Sequence, residues 1–339
     1  MPTSLLLDAK YFVFVCSLCA WLIGCCHAWS GGYPFDSLPL IKLSKEMIVS
    51  KELLTLMYDL VRKALAEHRA VSYAEVEELG IPYDAIRSLQ SHVFVRELKL
   101  ELRNFNYSVK QSVVRRVHSG ESLLSVAREY RLGTYKFALL YLQEVYGNIP
   151  LASILHNPER ITDGRIRREL LTMIALDTSS SPDVDLLKEC IGKEYEELLI
   201  NLLNSRHMCF ETEVELRSKG KPKTPDILFM IPMAVALNSF EQQSSTDTSG
   251  NAVVNWIDSK AMFADCQSLE EQIEQFRAYN NRYGRGMVIY WHGFAEDIFS
   301  MAPTDMMILF RDSFPEHWLF PTGEPADGRI PEFDKVELL

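Results

Sequence analysis

The sequence predicts an α/β domain of helix–three strands–helix–strand order in the C-terminal half, preceded by an all-α region built from helix-turn-helix units. Three observations predict it. Across residues 186–294 the apolar spacing passes from a helical period to strand alternation and back. Across residues 51–146 short amphipathic stretches alternate with turns marked by glycine and proline. A serine-rich break at Ser179–Pro182 separates the two patterns and divides the chain into 47–183 and 184–320.

Residues 1–46 come first and stand apart. Lys10 is followed by YFVFVCSLCAWLIGCCHAW, an apolar run of signal-peptide or marginal transmembrane length. Taken literally, it directs the chain to a membrane or the secretory path. The favoured reading is an extension unrelated to the folded protein, with Met47 as a sensible first residue. Four of the seven cysteines lie in this run, and the other three are scattered singly, a pattern that suits a reducing compartment rather than a disulfide framework.

The helical region follows. Leu53, Leu54, Met57, Leu60, Val61, Ala64 and Leu65 form one apolar stripe over 51–67. Ser72 is an N-cap, Gly80 a C-cap and Pro82 a helix start. A second unit comprises Val109–His118, Glu121–Arg131, a turn at Leu132-Gly133-Thr134, and Tyr135–Tyr146. Residues 158–183 read as one more helix with a basic start at Arg165, Arg167 and Arg168. From Arg87 to Lys136, ten lysines and arginines face four glutamates and no aspartate, although the whole chain carries −11. Such a segment suits phosphate contacts by Arg115, Arg116, Arg128, Arg131, Tyr135 and Lys136, the last two opening the final helix of the unit. A bundle used for packing or for protein partners is the alternative. With 47% apolar and 24% charged residues, the composition excludes wholesale disorder.

In the C-terminal half the expected elements are a helix over Leu186–Asn204 and strands over Met208–Val214, Asp226–Val235 and Val253–Lys260. A helix over Ser268–Asn281 and a strongly apolar strand over Met287–Phe294 complete them. The first three strands pair as an antiparallel meander, and the last joins in parallel after the crossing helix. On this frame Asp226 opens the second strand, while Asp258 and Lys260 close the third. Two residues apart, Asp258 and Lys260 leave the strand on one face. Two carboxylates and a lysine at a sheet end suit a divalent cation: Asp226, Asp258 and the Ser259 carbonyl as oxygen ligands, Glu196 completing the shell, and Lys260 polarising water or neutralising phosphate. The alternative is a structural ion pair of Lys260 with Asp258 or Asp226.

Lys223–Val235 (KTPDILFMIPMAV), Val254–Asp265 (VNWIDSKAMFAD), Asn281–Phe294 (NRYGRGMVIYWHGF) and Gly192–Glu196 (GKEYE) resemble the codanin-interacting nuclease family. That family is a eukaryotic branch of the PD-(D/E)xK superfamily, similar to archaeal Holliday-junction resolvases. The resemblance spans roughly residues 47–320. It implies that Asp226 is the P-D aspartate, and Asp258 and Lys260 the acid and lysine of the D/E-x-K pair. Glu196 becomes the first-helix glutamate, with Glu194 one register slip away, and Gln275 the glutamine of the helix after the motif. Tyr283 and Gly284 fall in the Asn-Arg-aromatic-Gly stretch. The resemblance further implies a PD-(D/E)xK nuclease core and a structure-preferring DNA endonuclease that uses Mg²⁺ or Mn²⁺ and no small-molecule cofactor. Branched or flapped DNA is the expected substrate, codanin a partner, homodimerisation an option, and the nucleus and cytoplasm the location. A non-catalytic scaffold for codanin is the competing function. Three segments depart from the family: the apolar N-terminus, a polar link at 237–252 read as a flexible hairpin tip, and a tail over 321–339 read as disordered.

Overall fold

The computed structural model describes residues 47–147, 153–154, 157–177, 179–237, 250–303, 305–320, 323 and 325–326. The apolar run at 11–29 and residues 238–249 of the polar link lie outside them. Among the described residues no helix is long and apolar enough to cross a membrane.

Strand β1 (Ile48–Val49) leads into helix α1 (Lys51–Ala66), whose N-cap Ser50 accepts a hydrogen bond from Leu53 N at 3.3 Å. Helix α2 (Tyr73–Glu77) opens on a capping box of Ser72 and Glu75, so both orphan amides of that turn are satisfied. The following turn passes through Gly80 in the left-handed region at φ 68°. Pro82 then starts α3, which runs from Tyr83 to Asn104, well beyond the expected helix-turn-helix length.

Helices α4 (Tyr107–His118), α5 (Leu123–Ala127), α6 (Thr134–Tyr146) and α7 (Gly164–Ala175) enclose one apolar core around Val117, Leu123, Phe137 and Met173. Two expectations fail here. The helix over Glu121–Arg131 shrinks to five residues, because the Ser122 side chain caps it late and i→i+3 turns at Glu129 and Tyr130 close it early. The single helix over 158–183 is broken. Pro158–Arg160 forms a 3₁₀ turn, and Asp163 caps α7 by accepting from Arg165 N and Ile166 N at 2.8 and 3.1 Å. At the serine-rich break Ser181 acts as an N-cap and Pro182 already begins α8 (Pro182–Ser205), four residues before the expected start.

The sheet has strand order β2 (Phe210–Thr212), β3 (Ile227–Ala236), β4 (Asn251–Lys260), β5 (Gly286–Tyr290) and β7 (Ile308–Arg311). The first three strands pair antiparallel, and β5 joins β4 in parallel, as expected. Strand β7 adds a further parallel neighbour to β5, and β8 (Trp318–Leu319) pairs with β3; neither was expected. The expected strand Met208–Val214 stops at Thr212, where a capping box with Glu215 turns the chain into helix α9 (Glu213–Ser218). Helix α10 (Cys266–Tyr283) crosses between β4 and β5. The 237–252 link is narrower than its sequence implies, because Leu237 N donates to Gly250 O at 2.8 Å and Asn251 and Ala252 belong to β4. In the tail segment Pro325 bridges Leu319 and Ala326 N donates to Trp318 O at 2.8 Å, and residues 327–339 lie outside the described residues.

Two apolar layers cover the sheet. Leu199 and Leu203 of α8 pack with Ile227, Ile257, Met287 and Ile289, whereas Leu269, Phe276 and Tyr279 of α10 pack with Trp256, Val288 and Tyr290. Gly286 makes the second layer fit. A Cβ there would stand 1.9 Å from the buried Trp256 ring, whose Nε1 donates to Gly284 O at 2.8 Å. Gly286→Ala is therefore expected to cost about 1–3 kcal/mol by overpacking, read as a lower urea midpoint.

The first helices serve the α/β domain rather than the helical region with which the sequence groups them. Their core of Met57, Val61, Ile86 and Leu89 includes Phe263 and Ala295, and β1 pairs in parallel with β6 (Phe294–Ala295). Ser88 Oγ accepts from Phe263 N at 2.9 Å. Asp265, the N-cap of α10, accepts both arms of the Arg96 guanidinium (2.7 and 2.8 Å), the Ser268 amide and hydroxyl (2.7 Å each), and the Tyr58 hydroxyl. Burial alone would raise the Asp265 pKa. The Arg96, Tyr58 and Ser268 hydrogen bonds outweigh it and hold the carboxyl well below its ordinary range. Helices α1 and α3 thereby brace the segment between Lys260 and α10.

Candidate active site

The β3–β4 register pairs Ile227 with Ile257, so one step further sets Asp226 opposite Asp258. Cross-strand neighbours of this kind have Cβ atoms about 5 Å apart. Asp226 Oδ2 accepts a hydrogen bond from Ser259 N at 2.7 Å, which fixes the carboxylate to the next strand. Asp258 is 1% exposed. Lys260 Nζ lies 2.5 Å from Asp258 Oδ2 as a buried ion pair, and among the described residues no other donor reaches the Asp258 oxygens. Burying two carboxylates against a single ammonium is costly.

Burial first, and then the charge of Asp258, push the Asp226 carboxyl well above its ordinary range. Burial also works against the charge of Lys260, but Asp258 and Asp226 prevail and raise its pKa, so it stays an ammonium. Glu196, on α8, is raised by burial and by Glu213, with Asp258 adding and Lys260 opposing; it therefore stands within electrostatic reach of both. Gln275 and Tyr279 of α10 are joined by a 2.7 Å hydrogen bond from Gln275 Nε2 to the Tyr279 hydroxyl. Burial and then Asp258 raise the Tyr279 pKa, which places its hydroxyl near the carboxylates as a neutral group. Ser259 Oγ accepts from Trp291 Nε1 at 2.8 Å.

Among the described residues no three His, Cys, Asp or Glu side chains form a ready-made metal cage. Two carboxylates with a backbone carbonyl are nonetheless a donor set that suits a hard cation, since Mg²⁺ keeps several waters and takes only one or two protein carboxylates. The Asp258 carboxylate, met by Lys260 and by no other donor among the described residues, fits that role.

A family model described as "Protein of unknown function TPD sequence-motif" matches residues 162–314, which include Thr224-Pro225-Asp226. Proteins named CDAN1-interacting nuclease 1 are similar to the chain. The *Xenopus laevis* protein is 36% identical over 181 residues, 52% of this chain and 54% of its own. The *Homo sapiens* protein is 37% identical over 147 residues, 43% of this chain and 47% of its own. The chain thus spans about half the length of these curated relatives. The *Danio rerio* protein is 30% identical over 287 residues, 75% of this chain and 90% of its own. The chain belongs to the CDAN1-interacting nuclease 1 family. No solved structure gives a significant match.

Of the candidate residues proposed from the sequence, Asp226, Asp258 and Lys260 meet at one sheet end, Glu196 lies within electrostatic reach of them, and Gln275 is bonded to Tyr279 beside them. Tyr279 and Glu213 are neighbours that the sequence reading did not include. Tyr279 lies one helical turn after Gln275, and that i,i+4 spacing was the available signal. Glu213 N donates to Asp226 O at 2.9 Å and its carboxylate accepts from Thr224 Oγ1 at 3.3 Å, so it staples the Thr-Pro-Asp turn. It was hidden because the segment read as strand.

The proposed DNA-contact residues of the helical region meet a different environment. Arg116 is clamped between Glu121 and Glu129, at 2.5 Å each. Arg131 lies 3.8 Å from Glu97. Burial and the charges of Asp177, Asp185 and Asp183 raise the Tyr135 pKa, so this ring sits among acids. Arg115 and Arg128 are exposed, and Lys136 is half-buried. Arg116 and Arg131 are thus engaged by glutamates, whereas Arg115, Arg128 and Lys136 have no ion-pair partner among the described residues.

The Asp226 shift has a stability consequence. Between the ordinary carboxylate pKa and the raised one, the folded chain holds a proton that the unfolded chain has released. This group's stabilisation is full at low pH and is lost as pH rises through that window. In chelator, the stability difference between wild type and Asp226→Asn is expected to turn against wild type as pH rises, measured by thermal unfolding across pH.

Proposed function

We propose that this chain is a divalent-metal-dependent DNA endonuclease of the PD-(D/E)xK type that hydrolyses phosphodiester bonds and prefers branched or flapped DNA. The observation that carries the reading is the buried Asp258, set across from Asp226 with Lys260 as their shared ammonium. The names of the relatives, which record a nuclease that interacts with CDAN1, support both the activity and codanin as the partner.

Asp226, Asp258 and the Ser259 carbonyl, with Glu196, would hold Mg²⁺ or Mn²⁺. The ion supplies Lewis-acid polarisation of the phosphoryl group and a lowered pKa for water. Asp226 is held in place by the Ser259 amide. Lys260, kept charged by its two aspartates, stabilises the negative charge that grows on the phosphoryl oxygens. The Gln275–Tyr279 pair offers neutral hydrogen-bonding groups that orient water or phosphate without adding charge. The helical units supply further contact surface for DNA or codanin, and nucleus and cytoplasm are the proposed locations.

The test is a panel of single-stranded, duplex, flapped and four-way DNA incubated with the chain in Mg²⁺ or Mn²⁺. Cutting is expected to favour the branched forms and to be lost in Lys260→Gln. That variant keeps both aspartates and should still gain thermal stability with metal. A variant that cuts as fast as wild type would remove Lys260 from the chemistry. Metal-induced stabilisation without cutting of any DNA would favour a codanin scaffold.

A further inference from the structure

The end of α9 and the loop joining it to β3 read Arg217-Ser218-Lys219-Gly220-Lys221-Pro222-Lys223, four cations in seven residues with no acid, inside a chain of net charge −11. Their side chains are open to solvent: Arg217 is 68% exposed, Lys219 55% and Lys221 40%. Both ends of the loop are tied to the site. Helix α9 begins at Glu213, whose amide donates to Asp226 O. At the other end Lys223 is three residues before Asp226, at most about 11 Å along an extended chain. Arg282, on the last turn of the helix that carries Gln275 and Tyr279, donates to Pro222 O and seats the loop against α10.

Two features set Lys223 apart from an ordinary solvated lysine. It adopts φ 56°, a left-handed conformation that disfavours any residue with a Cβ and that glycine or asparagine would occupy more easily. Among the described residues it has no ion-pair partner, whereas Lys219 and Lys221 share Glu211 and Arg217 pairs with Glu213. Those exposed pairs exchange readily for a stronger anion. A cation retained at a strained backbone position beside a cluster of carboxylates needs a purpose of its own. An acidic catalytic centre repels a polyanion, so a substrate strand must be held by positive charge at its rim.

We infer that the Arg217–Lys223 loop, with Arg282, is the surface on which the phosphate backbone of a DNA strand lies as it enters the Asp226–Asp258–Lys260 site. The inference rests on the nuclease reading for its ligand. The contacts are made to phosphates, so they set position and register and not sequence preference.

The experiment measures binding of the full chain to labelled duplex and single-stranded DNA in chelator, where no cutting occurs, across a range of salt. Three chains are compared: wild type, Lys223→Gly and Lys223→Arg. Lys223→Gly relieves the strained backbone and should fold at least as well as wild type, checked by thermal unfolding. It is expected to lower the slope of log affinity against log salt by about 0.9 on duplex and about 0.7 on single-stranded DNA, with about eightfold weaker duplex binding at roughly 0.1 M salt. Lys223→Arg should keep the wild-type slope. An unchanged slope in Lys223→Gly, or no DNA binding by wild type, overturns the inference. Intact DNA binding with lost codanin binding would reassign the loop to a protein partner and overturn it as well. An unchanged slope together with cutting by wild type leaves the nuclease reading standing. A lowered slope with no cutting under any metal leaves the surface standing and removes the nuclease.

Discussion

Asp258→Asn is expected to lower DNA cleavage by at least about 10²- to 10³-fold, the range for removing one preorganised electrostatic group, while leaving the metal-free protein at least as stable as wild type. The two outcomes have one cause. Asp258 is buried, ion-paired to Lys260, and faces Asp226, whose own pKa is driven up by burial and by that neighbour. Without a metal ion the two carboxylates share one ammonium and repel each other. Asparagine removes the repulsion and leaves Asp226 balanced by Lys260. Added Mn²⁺ should then stabilise wild type and not the variant. A structural ion pair of Lys260 with Asp258 predicts the reverse, a loss of stability in chelator. Urea unfolding with and without metal separates the two.

Arg96→Met is expected to destabilise the fold by about 3–5 kcal/mol, because it leaves Asp265 charged, buried and short of its strongest donor. Asp265 is 3% exposed at the side chain, and Arg96 contacts both of its oxygens. The penalty should be largest above the ordinary carboxylate pKa. A carboxyl held low in the fold contributes stability that is lost as pH falls through its folded value, so the gap between wild type and variant should narrow in acid. Arg96→Met combined with Asp265→Asn should recover part of the loss, since no bare charge then remains. Cleavage should fall with stability, because this hub anchors the helix that presents Gln275 and Tyr279. Equal stability of the single variant and wild type in urea would show that α1 and α3 do not brace the site.

The α/β order was legible because each element there has a local signature. Alternation in Asp226–Val235 and Val253–Lys260, and the apolar run at Met287, name strands without help from tertiary contacts. The two-residue spacing of Asp258 and Lys260 named their shared face, and the parallel and antiparallel pairings followed from the intervening helix. What was not legible depended on caps or on distant partners. Ser122, Asp163 and Thr212 redirect the chain through single side-chain hydrogen bonds, and a periodicity argument passes over them. Strands β7 and β8 are short and take their place from pairing with β5 and β3. The role of α1 and α3 depends on Arg96, Tyr58 and Ser88 meeting residues 263–268, more than 160 positions away. Pairing of Arg116 and Arg131 with glutamates was equally hidden, because charge counting along a sequence does not show which cations are already engaged.

The central claim is that the aspartate pair and Lys260 form a metal-dependent phosphodiesterase centre. It is tested most directly by titrating Mn²⁺ into the chelator-treated chain while following thermal stability and cleavage of a flapped DNA in the same samples. The account predicts that both rise over one concentration range, and that Asp226→Asn and Asp258→Asn abolish both. Cleavage that persists in chelator, or metal stabilisation that survives in both variants, would contradict it.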